Sequence, residues 1–246
     1  MAKSMAKSMA TKSATEAAAT GNGRWCFAWV PKVKSRTKAA LLNESRWPVG
    51  SVITVGFLDG SPALQERVAG VARMWTAPGL ANLAFVFKKN AADCMVRISF
   101  KYEGSWSVIG TQCLSPQVVP AGEATMNYGW LTDDSTDDEV REVVLHEFGH
   151  AIGLLHEHQS PRSKIKWNKK QVYKDLSKPP NSWDKATIDF NMFEMEPKSK
   201  VTATAFDTKS IMLYSFPASW TTDGFSTKPN GVLSARDKKL IHAVYP

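Results

Sequence analysis

The chain has 246 residues, 43% of them apolar, enough for the core of one catalytic domain plus an extension. Its formal charge of +8 is concentrated at one end, because residues 1–46 hold nine Lys or Arg against two Glu. The charge is therefore a property of a solvated arm and no argument for a nucleic-acid or acidic partner. No run approaches the roughly 20 apolar residues that cross a bilayer.

Residues 1–45 read as a flexible basic N-terminal extension or pro-segment. The stretch MAKSMAKSMA repeats a four-residue unit, and no apolar run of roughly 7–15 residues, as an export signal requires, precedes Trp25. Val49 to Leu58 is rich in β-formers. Ser61-Pro62 reads as an N-cap and first helical position ahead of Leu64, Val68, Val71, Ala72 and Trp75 on one face. Leu83 to Phe87 and Met95 to Phe100 read as strands. Acids from Asp133 to Asp138 then precede a helix, with Thr136 and Glu139 spaced as a capping box. They lack the spacing of a calcium loop. Along this helix Val140, Val143, Val144, Phe148 and Ala151 form an apolar face, while His146, Glu147 and His150 fall on another. Beyond Gly153, Pro161, Pro179, Pro180, Pro197 and Pro217 leave few periodic segments before a last helix. This predicts an α+β fold: a twisted mixed sheet with two long helices above, a loop-rich lower subdomain, and between them an open cleft suited to an extended peptide.

The segment from His146 to His158 reads HEFGHAIGLLHEH. His146 and His150 lie one helical turn apart and can chelate from one face. Gly153 permits a sharp turn that returns His156 to the same point. Three neutral imidazoles leave the fourth tetrahedral position of a zinc ion open for water, which distinguishes a catalytic site from a closed structural one. Glu147, beside the first ligand, is placed to act as general base. His158 is expected only to cap or solvate the turn.

This motif resembles that of the metzincin zinc metallopeptidases, and Glu157 after the third histidine makes it most similar to the astacin family. Ser210-Ile211-Met212-Leu213-Tyr214 resembles the family's Met-turn, with Leu213 where many members carry histidine. The resemblance implies Met212 beneath the metal and Tyr214 as a switchable ligand that stabilises the oxyanion. Cys94 to Phe100 resembles the central strand, Ser105-Trp106-Ser107 its sequel, Ala124 to Gly129 the edge strand above the cleft, and Leu233 to Pro246 the closing helix. It assigns residues 46–246 to a catalytic domain and implies a zinc-dependent endopeptidase, monomeric, extracellular, with one catalytic zinc ion and a protein or peptide substrate. In mature astacins the residue matching Glu157 is linked to a new N-terminus, which here implies cleavage near residues 43 to 47.

Pro-segments of related peptidases block the metal with an aspartate or a cysteine. No aspartate precedes Asp59, so Cys26 is the candidate latency ligand. Cys94 and Cys113 are candidates for a bridge across adjacent strands. The nine tryptophans allow an alternative from another class, a catalytically silent zinc-containing binding module on a protease scaffold. Glu147, which a binder does not need, separates the two.

Overall fold

Short β-forming runs separated by turns assemble into a mixed sheet, and the described residues are 26–29 (backbone course), 45–179, 181–195, 197, 199 and 201–246 of a computed structural model. The strands are β1 (Cys26–Trp29), β2 (Val52–Phe57), β3 (Ala84–Lys88), β4 (Val96–Ser99), β5 (Ser105–Val108) and β6 (Met126–Tyr128), in the order β1-β5-β6-β4-β2-β3. All pairs are parallel except β5 with β6. Helix α1 (Pro62–Ala72) follows β2, and α2 (Asp137–Ala151) packs against it. Both helix starts match the sequence reading. Ser61 Oγ accepts from Leu64 N–H with Pro62 in the first turn, and Thr136 and Glu139 form the reciprocal capping box.

The main core lies between the sheet and these helices, with Ile53, Val55, Trp75, Ile98, Val144 and Phe148 fully or almost fully buried. Trp75 Nε1–H donates to the Leu145 carbonyl (2.9 Å), so this fully buried indole is also satisfied. Below α2 the chain forms α3 (Lys169–Leu176), α4 (Lys185–Ile188) and a π-type turn, Asp189–Phe193, and closes with α5 (Ala235–Val244). A second core of Val172, Leu176, Ile188, Met192, Leu213, Phe216 and Trp220 consolidates this half.

Three expectations change. Ala124 to Gly129 is not an edge strand: β6 lies between β4 and β5 with Met126, Asn127 and Tyr128 all buried. Asn127 Nδ2 donates to the carbonyls of Tyr102 (2.9 Å) and Gly104 (2.6 Å), which makes an interior position tolerable for its amide. The antiparallel strand is β5, and β1 from the N-terminal extension pairs with its outer side. Cys94 and Cys113 are both free and buried. They flank β4 and β5, which β6 separates, so these are not the adjacent strands a bridge needs. Among the described tryptophans, Trp47, Trp75 and Trp220 are core residues and cannot line a binding surface.

Candidate metal centre

Helix α2 ends where the first two histidines have just been presented. Ile152 caps it and Gly153 follows at φ +96°. A Cβ at Gly153 would meet nothing closer than 3.7 Å, so glycine serves the left-handed backbone here and not a shortage of room. Gly153 N–H returns to the His150 carbonyl (2.8 Å) and Leu154 N–H to that of Gly149 (2.9 Å). The reversed chain then brings His156 to His146 and His150, and their ligand nitrogens lie within 4.8 Å of one another.

Each imidazole is oriented from behind. His146 Nδ1 lies 2.8 Å from the Ile211 carbonyl, His150 Nδ1 2.8 Å from that of Leu154, and His156 Nδ1 3.3 Å from Gln159 Oε1. Gln159 is itself oriented, because its Nε2 donates to the Phe190 carbonyl (2.8 Å). These partners accept only, so each Nδ1 carries the proton and each Nε2 presents a lone pair. The Nε2 atoms of His150 and His156 are 3.1 Å apart with no proton left to share, and His146 Nε2 is buried without a hydrogen-bond partner. Two nitrogens on one tetrahedral ion, each about 2.0 Å from it, stand ~3.3 Å apart. The donor set fits zinc.

Electrostatics agree. Burial pushes His146 down to about 4, and burial followed by the neighbouring imidazoles holds His150 and His156 well below the usual histidine range. The rings stay neutral at physiological pH, as metal ligation requires. Glu147 is fully buried beside the first of them.

The segment after Asp207 forms the floor. A Cβ on Gly149 would sit 2.3 Å from Met212 Sδ, so the methionine fills a hollow that only glycine leaves in α2. The turn is pinned to α5 by Asp237, which accepts from Ser210 Oγ (2.7 Å), Ile211 N (2.9 Å) and Ser234 N (2.9 Å). Because the Ile211 carbonyl orients His146, Asp237 supports a ligand through two intervening groups. The Tyr214 ring centroid lies 4.2 Å from that of His156 and 5.9 Å from that of His146.

Glu157 points away from this cluster. Its N–H donates to the Met212 carbonyl (2.9 Å), and its Oε1 accepts from Asp207 N (2.8 Å). Burial raises its carboxyl to about 7, with Asp237 and Asp207 adding to the effect against the Asp207 N–H. It shares a cavity with Arg46, Asp207, Arg236 and Asp237 behind the metal centre. His158 departs from expectation: it is fully buried, with Nε2 2.8 Å from the Asn191 carbonyl, because the π-type turn closes over it. Cys26 falls on β1, and its side chain lies outside the described residues.

Gly149, Gln159, Ser210 and Asp237 were not singled out as site residues from the sequence. Only Asp237 carried a local signal, as the third residue after the helix-capping Ser234.

Among solved structures the chain aligns with myroilysin at 42% identity, covering 83% of this chain and 97% of that one with a TM-score of 0.79. The chain belongs to the astacin-like zinc metallopeptidases. A second structure, a crystal structure of myroilysin, aligns at 40% identity over 90% of each chain with a TM-score of 0.66. High choriolytic enzyme 1, a hatching enzyme zinc-protease from the medaka fish Oryzias latipes, shares the fold at 18% identity over 82% of this chain and 95% of that one, with a TM-score of 0.54. No family model and no curated protein matches the sequence. This metallopeptidase thus takes its α+β architecture and zinc chemistry from the metzincin clan, and among its described residues no helix is long and apolar enough to cross a membrane.

Proposed function

We propose that this astacin-like enzyme is an extracellular, monomeric endopeptidase that hydrolyses internal peptide bonds of proteins with one zinc ion held by His146, His150 and His156. The observation that carries the reading is the convergence of three Nε2 lone pairs, each fixed by a hydrogen bond at Nδ1. When bound there, zinc supplies Lewis acidity toward water and the scissile carbonyl. Glu147 takes the proton from the attacking water and delivers it to the leaving amine, so the amine departs neutral. The Tyr214 hydroxyl donates to the oxygen that becomes negative, an interaction strongest in the transition state. Met212 and Gly153 shape the site, and Glu157 links it to the cavity behind.

The test is digestion of a mixed peptide library, read by mass spectrometry, beside Glu147→Gln and a chelated sample. Cleavage is expected to disappear in both, with zinc content unchanged in Glu147→Gln. Zinc bound at full occupancy without cleavage, even after removal of the extension, would move the function to a binding module.

The N-terminal extension is proposed as a pro-segment, removed as far as residue 44, with Cys26 as its metal-blocking thiolate. Support comes from the backbone: β1 lies along β5, from Cys26 opposite Ser105 to Trp29 opposite Val108, and against α2. Activating cleavage belongs before Ser45. Ser45 and Trp47 are buried, the Ser45 carbonyl accepts from Thr111 N (2.9 Å), and Trp47 Nε1–H donates to the Ala151 carbonyl (2.8 Å). Arg46, the next residue, lines the cavity that holds Glu157, Asp207 and Asp237. Cys26→Ser is expected to make the intact chain active without trimming. Equal latency in both proteins would rule out the thiolate.

A further inference from the structure

His158 has no part in metal ligation, yet it is fully buried at the centre of the site. Its Nε2–H donates to the Asn191 carbonyl (2.8 Å), which leaves Nδ1 buried without a hydrogen-bond partner. Nδ1 therefore contributes no bond, and the polar role of the ring is carried by its Nε2–H alone. What imidazole adds to a flat shape is one tether that sets the plane of the ring.

The Tyr214 ring lies against that plane. Their centroids are 4.6 Å apart at 29°, while the ligand His156 meets the phenol ring at 4.2 Å and 45°. The tyrosine therefore contacts one imidazole that faces the metal centre and one that is tied to the lower half of the molecule. The tie leads to the π-type turn, closed by Glu194 N–H to the Asp189 carbonyl (2.9 Å). Consecutive carbonyls of this turn do related work: Phe190 holds Gln159, which orients His156, and Asn191 holds His158. The turn is itself braced, with Asn191 Nδ2 donating to the Thr187 carbonyl (2.9 Å) and the Tyr173 hydroxyl and Lys185 both on the Asp189 carboxylate. π-type turns inside helical segments are found frequently at functional sites.

We propose that His158 is a positioning residue for Tyr214, holding the phenol ring in register with the metal ligands through its tether to the π-type turn at 189–193. The proposal rests on the oxyanion-stabilising role proposed above for Tyr214. It concerns packing and orientation, so the protonation of His158 plays no part in it.

A double-mutant cycle tests it. The single variants are His158→Phe, which keeps the ring and loses the tether, and Tyr214→Phe, which loses only the hydroxyl. His158→Gln, which keeps a donor and loses the ring, is measured in parallel in case His158→Phe fails to fold. For each protein, kcat and KM on one peptide are measured together with zinc affinity by chelator competition and the thermal midpoint. Tyr214→Phe is expected to lower kcat about 100-fold. His158→Phe is expected to lower it about tenfold, the cost of a misplaced group, with KM and zinc affinity within about twofold of the parent. In the Tyr214→Phe background, His158→Phe is expected to cost nothing further.

A tenfold loss that persists in that background would show that His158 acts through something other than the phenol, and would overturn the proposal. An unchanged kcat in His158→Phe, with Tyr214→Phe impaired, would overturn it while leaving the role of Tyr214 standing. An unchanged kcat in Tyr214→Phe would overturn both.

Discussion

At the scale of single residues, the centre depends on groups whose chemistry is unremarkable and whose size is not. Gly149 is the clearest case. A methyl there would meet Met212 Sδ at 2.3 Å and the Trp75 ring at 3.3 Å. The tryptophan cannot yield, since its Nε1–H is held by the Leu145 carbonyl, so the methionine must. Gly149→Ala raises helix propensity by roughly 1 kcal/mol, but overpacking a dense core costs about 1–3 kcal/mol. The prediction is a net loss of up to about 2 kcal/mol in urea unfolding, with weaker zinc binding in a chelator competition because the displaced residue neighbours Ile211, whose carbonyl orients His146. A variant as stable and as zinc-avid as the parent would mean that Met212 has room to move and that the close fit is incidental.

At the scale of elements, the metal centre is held by α5 as much as by α2. The Asp237 carboxylate accepts from the Ser210 hydroxyl, the Ile211 amide and the Ser234 amide, so it caps α5 and clamps the Met-turn together. Asp237→Ala orphans three donors at roughly 1–3 kcal/mol for each that stays dry. A total loss of at least about 3 kcal/mol is expected, with zinc affinity falling in parallel. If stability falls and zinc affinity does not, the residue serves α5 alone. This division also explains what the sequence reveals. The starts of α1 and α2 were legible because caps are local, a serine or threonine three residues from the amide it satisfies. The order of the strands was not. Whether Asn127 faces solvent or the carbonyls of Tyr102 and Gly104 depends on a loop some 25 residues away along the chain. The burial of His158 is hidden for the same reason: its partner, Asn191, belongs to a turn 33 residues later with no signature of its own. The histidine cluster was legible because chelation demands a local spacing, whereas Gln159, Gly149 and Asp237 act through contacts that only the fold creates.

At the scale of the whole molecule, the candidate metal site lies between two cores. His146 and His150 belong to a helix packed against the sheet, and His156 lies beyond the turn at Gly153, against Tyr214 of the lower core. His156 is carried by a loop and is oriented through Gln159 and the π-type turn, so the ion would be a direct link from this half to α2. The upper core has no such dependence, since sheet, α1 and α2 are tied by burial and by the Trp75 bond. Chelation is therefore expected to act unevenly. At a free zinc concentration about a thousandfold above the dissociation constant, the ion contributes about 4 kcal/mol to global stability, and that contribution is lost throughout the cooperative unit. Local opening should add to this loss in amides 154–160, 189–193 and 207–216, and should be absent from β2, β4 and α1. Hydrogen exchange followed by mass spectrometry with and without chelator measures the difference directly. Protection lost in those three segments, beyond the uniform loss elsewhere, would identify the metal as the joint between halves; an even loss over the whole chain would mean that the two cores stay locked by their own packing and that zinc is a passenger in an already rigid site.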